Sequence, residues 1–380
     1  MERIYLDHAA TTPMHPRVTG RMLEVMNSTF GNPSSIHSYG REARHHIDLA
    51  RAALARSIGA KESEIIFTGG GTEADNMALF GVAESYQHNG RHIITTQIEH
   101  HAVLHACKKL EKMGFEVTYL PVDETGRISF SELQTALRDD TILVSVMYGN
   151  NEVGTIQPIT EIGQLLKNHQ AIFHTDAVQA YGMEIIDVNE SLIDLLSVSA
   201  HKINGPKGTG FLFSRSTVKM APRLFGGDQE RKRRAGTENV AAIAGFHEAV
   251  LIAGEERAAK RERFIGFKEV FLQKLRELDV EFEINGLLEF SLPHVLNLSF
   301  PGTSVEPMLV NLDLAGIAVS SGSACTAGSI EPSHVLVAMF GKQSERLINS
   351  IRFSFGFNTT SEEVIKAAEE TARIVSRLKK

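Results

Sequence analysis

Between residues 65 and 214, short apolar runs with strand character alternate with segments of helical spacing, and this alternation limits the possible architectures more than any other feature. The runs are Ile65–Thr68, His92–Thr96, Glu116–Leu120, Thr141–Met147, Ala171–Thr175, Leu195–Val198 and Gly210–Ser214. Between them lie helical patterns at Thr72–Gly81, Ala102–Met113, Ser131–Leu137 and Ile159–Asn168. Ser129 and Glu132 have the spacing of a capping box ahead of the third. Strands joined through helices run parallel, and a parallel sheet has to be covered on both faces. An α/β domain on a mostly parallel sheet is expected.

Past about Thr237 the pattern changes. A long, charged helical stretch runs to about Leu278, with Gly254 and Gly266 as candidate breaks. Short elements follow: Phe282–Ile284, Val295–Phe300, Glu306–Asp313, Ile317–Val319, His334–Met339, Ser350–Phe355 and Ser361–Leu378. They read as a smaller α+β domain beginning near residue 255.

A chain of 380 residues can bury a large core and suggests two domains. The net charge of −7 argues against nucleic acid as a direct partner. No basic segment leads into an apolar one at the N-terminus, and no apolar run is long enough to span a bilayer. The two cysteines, Cys107 and Cys325, are far apart and form no C-x-x-C pair. Together these features predict a cytoplasmic protein without a membrane partner.

Several stretches carry candidate chemistry. Leu195–Val198 ends in Ser199, Ala200, His201 and Lys202, followed by glycines and a proline. A lysine at the buried end of a strand loses water and becomes a better amine nucleophile. By itself the pattern fits a lysine reaching out to solvent at least as well. Gly69–Gly70–Gly71–Thr72 between a strand and a helix can close backbone N–H groups on one phosphate. The same letters satisfy G-x-G-x-x-A, but the following strand, His92–Thr96, ends without the acidic residue of a dinucleotide site. Asp176 ends a buried strand, where it needs a cationic partner unless it caps a helix, and Gln179 lies close by. Asn150 and Asn151 follow another apolar strand.

His100, His101 and His105 test for zinc. Ala102 stands where H-E-x-x-H needs glutamate, and no third ligand is suitably spaced, so no intrinsic metal is expected. His100 remains a flat ring suited to stacking. Cys325 sits among Ser, Gly, Ala and Thr, a setting for an accessible nucleophile on a mobile loop, whereas Cys107 looks like helix filling. In Ser350–Phe355, Ile351, Phe353 and Phe355 share one face and Arg352 the other, where it can grip a carboxylate. The basic run Arg231–Arg234 leads to Thr237, at a loop end able to reach a phosphate here or in a second subunit.

Together these residues resemble the pyridoxal-phosphate enzymes of the class-V aminotransferase family, and within it the cysteine desulfurases of the NifS/IscS group. The most specific parts are S-V-S-A-H-K-I-N-G-P-K-G and S-S-G-S-A-C-T-A-G-S. The first is also similar to selenocysteine lyases and kynureninases. The resemblance implies fold type I, with a large domain on a mostly parallel seven-stranded sheet, residues 15–255. A smaller α+β domain would comprise residues 1–14 and 256–380 and carry the cysteine loop at about 320–330. It further implies Lys202 as the lysine that bonds the cofactor and moves the substrate's α-proton, Asp176 as partner of the pyridine nitrogen, Gln179 at the ring hydroxyl and His100 stacked on the ring. Gly71, Thr72, Ser199 and His201 would hold the phosphate, with Thr237 reaching it from the other subunit of a homodimer. Asn151 would lie near the ring or substrate, and Asn32 and Arg352 would hold the carboxylate of L-cysteine. Ala200 departs from the glycine of many relatives.

Cys325 would take the sulfur as a persulfide, release L-alanine, and pass the sulfur to an acceptor protein serving tRNA thiolation or iron–sulfur assembly. A transient iron–sulfur ligand role for Cys325, shared with a partner, belongs to the same expectation. Other readings remain open on the letters alone: an aminotransferase or selenocysteine lyase on the same cofactor, a nicotinamide-dependent dehydrogenase, or a sulfur carrier without a cofactor.

Overall fold

The structure, a computed structural model, describes residues 3–321 and 332–379. A seven-stranded sheet forms its centre, in the order Ile65–Thr68, Gly210–Ser214, Leu195–Ser199, Ile172–Asp176, Thr141–Ser145, His92–Thr96 and Glu116–Leu120. Gly210–Ser214 runs antiparallel to both neighbours, and the remaining pairs are parallel. Every residue of Ile65–Thr68, His92–Thr96, Thr141–Ser145, Leu195–Ser199 and Gly210–Ser214 is buried, which is why they read as unbroken runs. Helices cover both faces. One core includes Ile65, Phe67, Phe173, Val198, Phe211 and Phe246, and a second includes Ile66, Met77, Ile93, Cys107 and Leu212.

A third core lies under a small antiparallel sheet ordered Ser350–Ser354, Val295–Ser299, Glu283–Asn285. Ile351, Phe353 and Phe355 enter this core together, as their alternation requires, beside Phe264, Phe271 and Leu298. Each such ring removed from water contributes about 2 kcal/mol. The N-terminus joins in: Ile4–Tyr5 pairs in parallel with Ile317–Ala318, and Ile4 and Leu6 belong to the same core.

Two helices differ from the sequence reading. Val240–Glu277 is continuous, and neither Gly254 nor Gly266 breaks it. A side chain at either glycine would meet nothing within 4 Å, so both lie on an open face while their neighbours pack. Ile243–Ala253 feeds the first core and Phe264–Leu275 the third, so the position near 255 falls inside this helix. The helix Gly71–Tyr86 likewise runs through Gly81, where a Cβ would meet Met220 and the Ala221 carbonyl at 3.2 Å. At Ser129 the hydroxyl accepts the Glu132 N–H, the expected cap. Among the described residues no helix is long and apolar enough to cross a membrane.

Candidate active site

The carboxyl ends of the central strands open onto a cleft of about 720 Å³, where ligands of open α/β sheets bind. Its walls include Gly71, Thr72, Ser199 and His201, four residues singled out above, together with Thr11, Asn76 and Lys207. The first helical hydrogen bond runs from Ala74 N–H to Gly70 O, leaving the N–H groups of Gly71 and Thr72 at the positive end of the helix. Gly70 has φ +146°, outside the range a side chain favours. A Cβ on Gly71 would lie 2.7 Å from Val178 Cγ2, so the turn is shaped for close approach of backbone. These donors, the Ser199 hydroxyl and Lys207 fit one phosphate group. His201 lends a neutral ring: burial lowers its pKa to about 4, and its Nδ1 lies 3.0 Å from Thr11 Oγ1.

Lys202 ends the short turn Ala200–Lys202 after the strand Leu195–Ser199. Its Nζ donates to the carbonyls of Ala9 at 2.5 Å and Ala10 at 2.8 Å. Burial lowers its pKa to about 8, with help from Arg352 and opposition from Asp176 and Asp7. Gln179 donates to the same Ala9 oxygen at 2.9 Å, and its own oxygen faces His294 Nε2 at 3.1 Å. Ala9 N–H in turn binds Ser354 Oγ at 2.8 Å, so one N-terminal residue ties together the lysine, the glutamine and the Arg352 strand.

Asp176 ends the neighbouring strand and is 6% exposed. Burial raises its pKa, while His100, the Val178 N–H and Lys202 act in the opposite direction. Val178 N–H donates to its Oδ1 at 2.9 Å. His100 caps the helix His101–Glu111, its Nδ1 accepting Ala102 N–H at 3.1 Å. Desolvation lowers its pKa, so the ring is neutral with its proton on Nε2. One ligand atom each from Asp75, His100 and Asp176 lie within 4.8 Å of one another.

Arg352 is buried, donating to Asp7 Oδ1 and to the Asn151 carbonyl, both at 2.8 Å. Its Nε has no hydrogen-bond partner among the described residues. Asn151 thus meets Arg352 through its backbone. Asn32 is exposed, its side chain accepting Ser34 N–H within its own turn. Thr237 is exposed after Gly236. Cys325 lies outside the described residues.

Sequence reasoning missed Asp7, Ala9, Ala10, Thr11, Asp75 and His294. Ala9 and Ala10 act through carbonyls that any residue would supply and leave no signal. Asp7-His8 inside an apolar N-terminal run was a readable one, since charged groups among core residues need partners. Glu73 was another. It accepts Gly69 N–H at 2.7 Å and pairs with Arg234 at 2.7 Å, fastening the glycine turn to the basic loop.

Residues 4–366 match the class-V aminotransferase family. The chain is 64% identical, over the full length of both, to a protein of Bacillus subtilis (strain 168) named putative cysteine desulfurase IscS 1. It is 47% identical to the cysteine desulfurase IscS of Dictyoglomus turgidum, over 99% of this chain and 95% of that one. Among solved structures, a NifS-like protein superposes with a TM-score of 0.92 at 38% identity, over 99% of this chain and 100% of that one. SspA in complex with cysteine follows at 0.82 and 35%, over 93% and 98%.

Proposed function

We infer that this chain, which belongs to the class-V aminotransferase family, is a pyridoxal-phosphate-dependent cysteine desulfurase. It converts L-cysteine to L-alanine and hands the sulfur to an acceptor. The observation that carries this reading is the placement of Lys202 and Asp176. A lysine with a lowered pKa and a buried carboxyl end adjacent parallel strands, beside a turn that fits one phosphate.

In the proposed site, Gly71, Thr72, Ser199 and His201 would hold the cofactor phosphate, Asp176 would pair with the ring nitrogen, and Gln179, Asn151 and His100 would contact the ring. When bound, the cofactor supplies an electron sink for the bond-breaking at the substrate's α-carbon. Lys202, its pKa lowered to about 8, would hold the cofactor through its aldehyde and, when its amine is free and uncharged, would take the substrate's α-proton on Nζ. Arg352 can exchange part of its hold on Asp7 for the substrate carboxylate, assisted by Asn32. The Cys325 thiolate forms a bond to the substrate sulfur as the substrate carbon–sulfur bond breaks. The product is a persulfide on Cys325 and, after protonation, alanine. A sulfur-acceptor protein for tRNA thiolation or iron–sulfur assembly then receives the outer sulfur.

Thr237, exposed on the single chain, would reach the phosphate of a second copy in a homodimer. A set of exposed apolar side chains supports such a partner, with Ile36 91%, Phe225 84% and Phe30 79% exposed. The test of the whole reading is the absorption spectrum of the purified protein before and after L-cysteine, with alanine and sulfide assayed. Visible absorbance that changes as alanine appears supports it, and a colourless protein that binds no added pyridoxal phosphate overturns it.

A further inference from the structure

The helix that begins at the phosphate-binding turn carries a buried acid that the reaction above does not use. Asp75 is 1% exposed, and its Oδ1 has no hydrogen-bond partner among the described residues. It approaches Asp176 within the 4.8 Å group that includes His100. Two carboxylates this close in a water-poor site cannot both stay ionised, so the pair shares one proton.

The surroundings decide where that proton sits. Asp176 accepts a backbone N–H and faces Lys202, both of which favour its anion. Asp75 faces Asp176, Glu99 and His174, and a hydrogen bond from the Ser197 hydroxyl favours its anion less than burial and Asp176 oppose it. His174 Nε2 is 3.6 Å from Asp75 Oδ1, but the ring is already held by Ser145 at 2.8 Å and Ser197 at 3.0 Å. Burial lowers the His174 pKa to about 3, so it offers no cation. Glu99 is also buried, and wherever it ionises it repels a charge on Asp75. We propose that Asp75 is a positioning residue, a neutral carboxylic acid that carries the single proton of the Asp75–Asp176 pair and leaves Asp176 alone anionic for the cofactor's ring nitrogen. The purpose of the arrangement rests on the cofactor reading; the protonation does not. Burial and the Asp176 charge both move the Asp75 pKa well upward, in keeping with the assignment.

The test uses the full chain labelled with ¹³C-aspartate, with and without pyridoxal phosphate. Infrared spectra of the unloaded protein at pH 7 should contain a protonated aspartate carbonyl band, lost in Asp75→Asn and kept in Glu99→Gln. A missing band, or one that survives Asp75→Asn, overturns the proposal. Thermal unfolding gives a second readout. An acid whose folded pKa lies above its unfolded value of about 3.9 stabilises fully below that value and loses the contribution as pH rises. Asp75→Asn removes this loss, so its Tm should gain on the parent by about 2 °C or more between pH 5 and pH 8. Glu99, with its pKa raised to about 8 by burial, adds a leg of the same sign, but both proteins share it. A Tm difference independent of pH overturns the proposal. If Asp75→Asn does not fold, the labelled band of the parent and its titration still decide. A chain that binds no cofactor would sink the functional reading while leaving the infrared result intact.

Discussion

Arg352 and Ser320 exchange two backbone hydrogen bonds, Arg352 N–H to Ser320 O at 2.6 Å and Ser320 N–H to Arg352 O at 3.2 Å. The strand that aims the guanidinium at Asp7 and Asn151 therefore also fixes the backbone five residues before Cys325. If Arg352 holds the substrate carboxylate and Cys325 takes the sulfur, as proposed, both roles depend on this one strand pairing, although nothing in their spacing along the chain suggests it.

Arg352→Lys keeps a cation but loses the planar fork that can grip a carboxylate with two parallel hydrogen bonds. The KM for L-cysteine should rise by about 10- to 100-fold, with kcat falling less, because uniform binding is what is lost. Steady-state alanine formation measures both. An unchanged KM would remove Arg352 from the substrate site.

Lys202 must be uncharged to attack the cofactor aldehyde. Burial has lowered its pKa to about 8, so the reactive fraction of the unloaded protein grows as pH rises towards that value and levels off above it. The rate at which the unloaded chain recombines with pyridoxal phosphate should follow this curve between pH 6 and pH 10. A profile still climbing steeply past pH 9 would mean an ordinary solvated lysine. Lys202→Ala should lose more than about 100-fold in alanine formation.

The two thiols should behave oppositely. Cys107 is fully buried on the helix His101–Glu111, and burial drives its pKa far up, so it is neither reachable nor ionised. One equivalent of alkylating reagent should modify the native chain at Cys325 and a second should react only after denaturation. Cys325→Ser should abolish the persulfide and Cys107→Ala should preserve it. Labelling of Cys107 in the native protein would contradict the packing.

The alternation of strands and helices was legible because fully buried strands have no polar face to interrupt them. Strand order was not, since Ile65–Thr68 reaches the sheet only through Gly210–Ser214, an antiparallel pairing set by tertiary contacts. Lys202, Asp176 and the glycine turn stood out as chemistry placed at element ends. Asp75 did not, because one acid within a helical stretch looks solvent-facing until a second carboxyl is seen beside it. The basic run Arg231–Arg234 read as a solvated loop with Thr237 at its end. Its neighbour Glu230 turns inward to a partner, Arg51, more than 170 residues away in sequence.

That inward turn carries the last prediction. Glu230 is 6% exposed and forms a two-pronged pair with Arg51 at 2.6 and 2.8 Å. The same carboxylate accepts Phe67 N–H at 3.0 Å, while Arg51 also donates to Ile65 O at 2.7 Å. Glu230, Arg231 and Lys232 all have positive φ, between 46° and 66°, a conformation that side chains resist. The buried pair thus holds a strained loop against the strand feeding the phosphate turn, and places Arg234 and Thr237 beyond it. Glu230→Ala leaves the Arg51 charge buried without its partner, at a cost of about 3–5 kcal/mol. Because the strand Ile65–Thr68 leads straight into Gly69–Gly71, the affinity for pyridoxal phosphate should weaken with it. Denaturant unfolding and cofactor titration measure the two effects. If stability falls by that amount while cofactor affinity is untouched, the pair braces the fold without shaping the phosphate site.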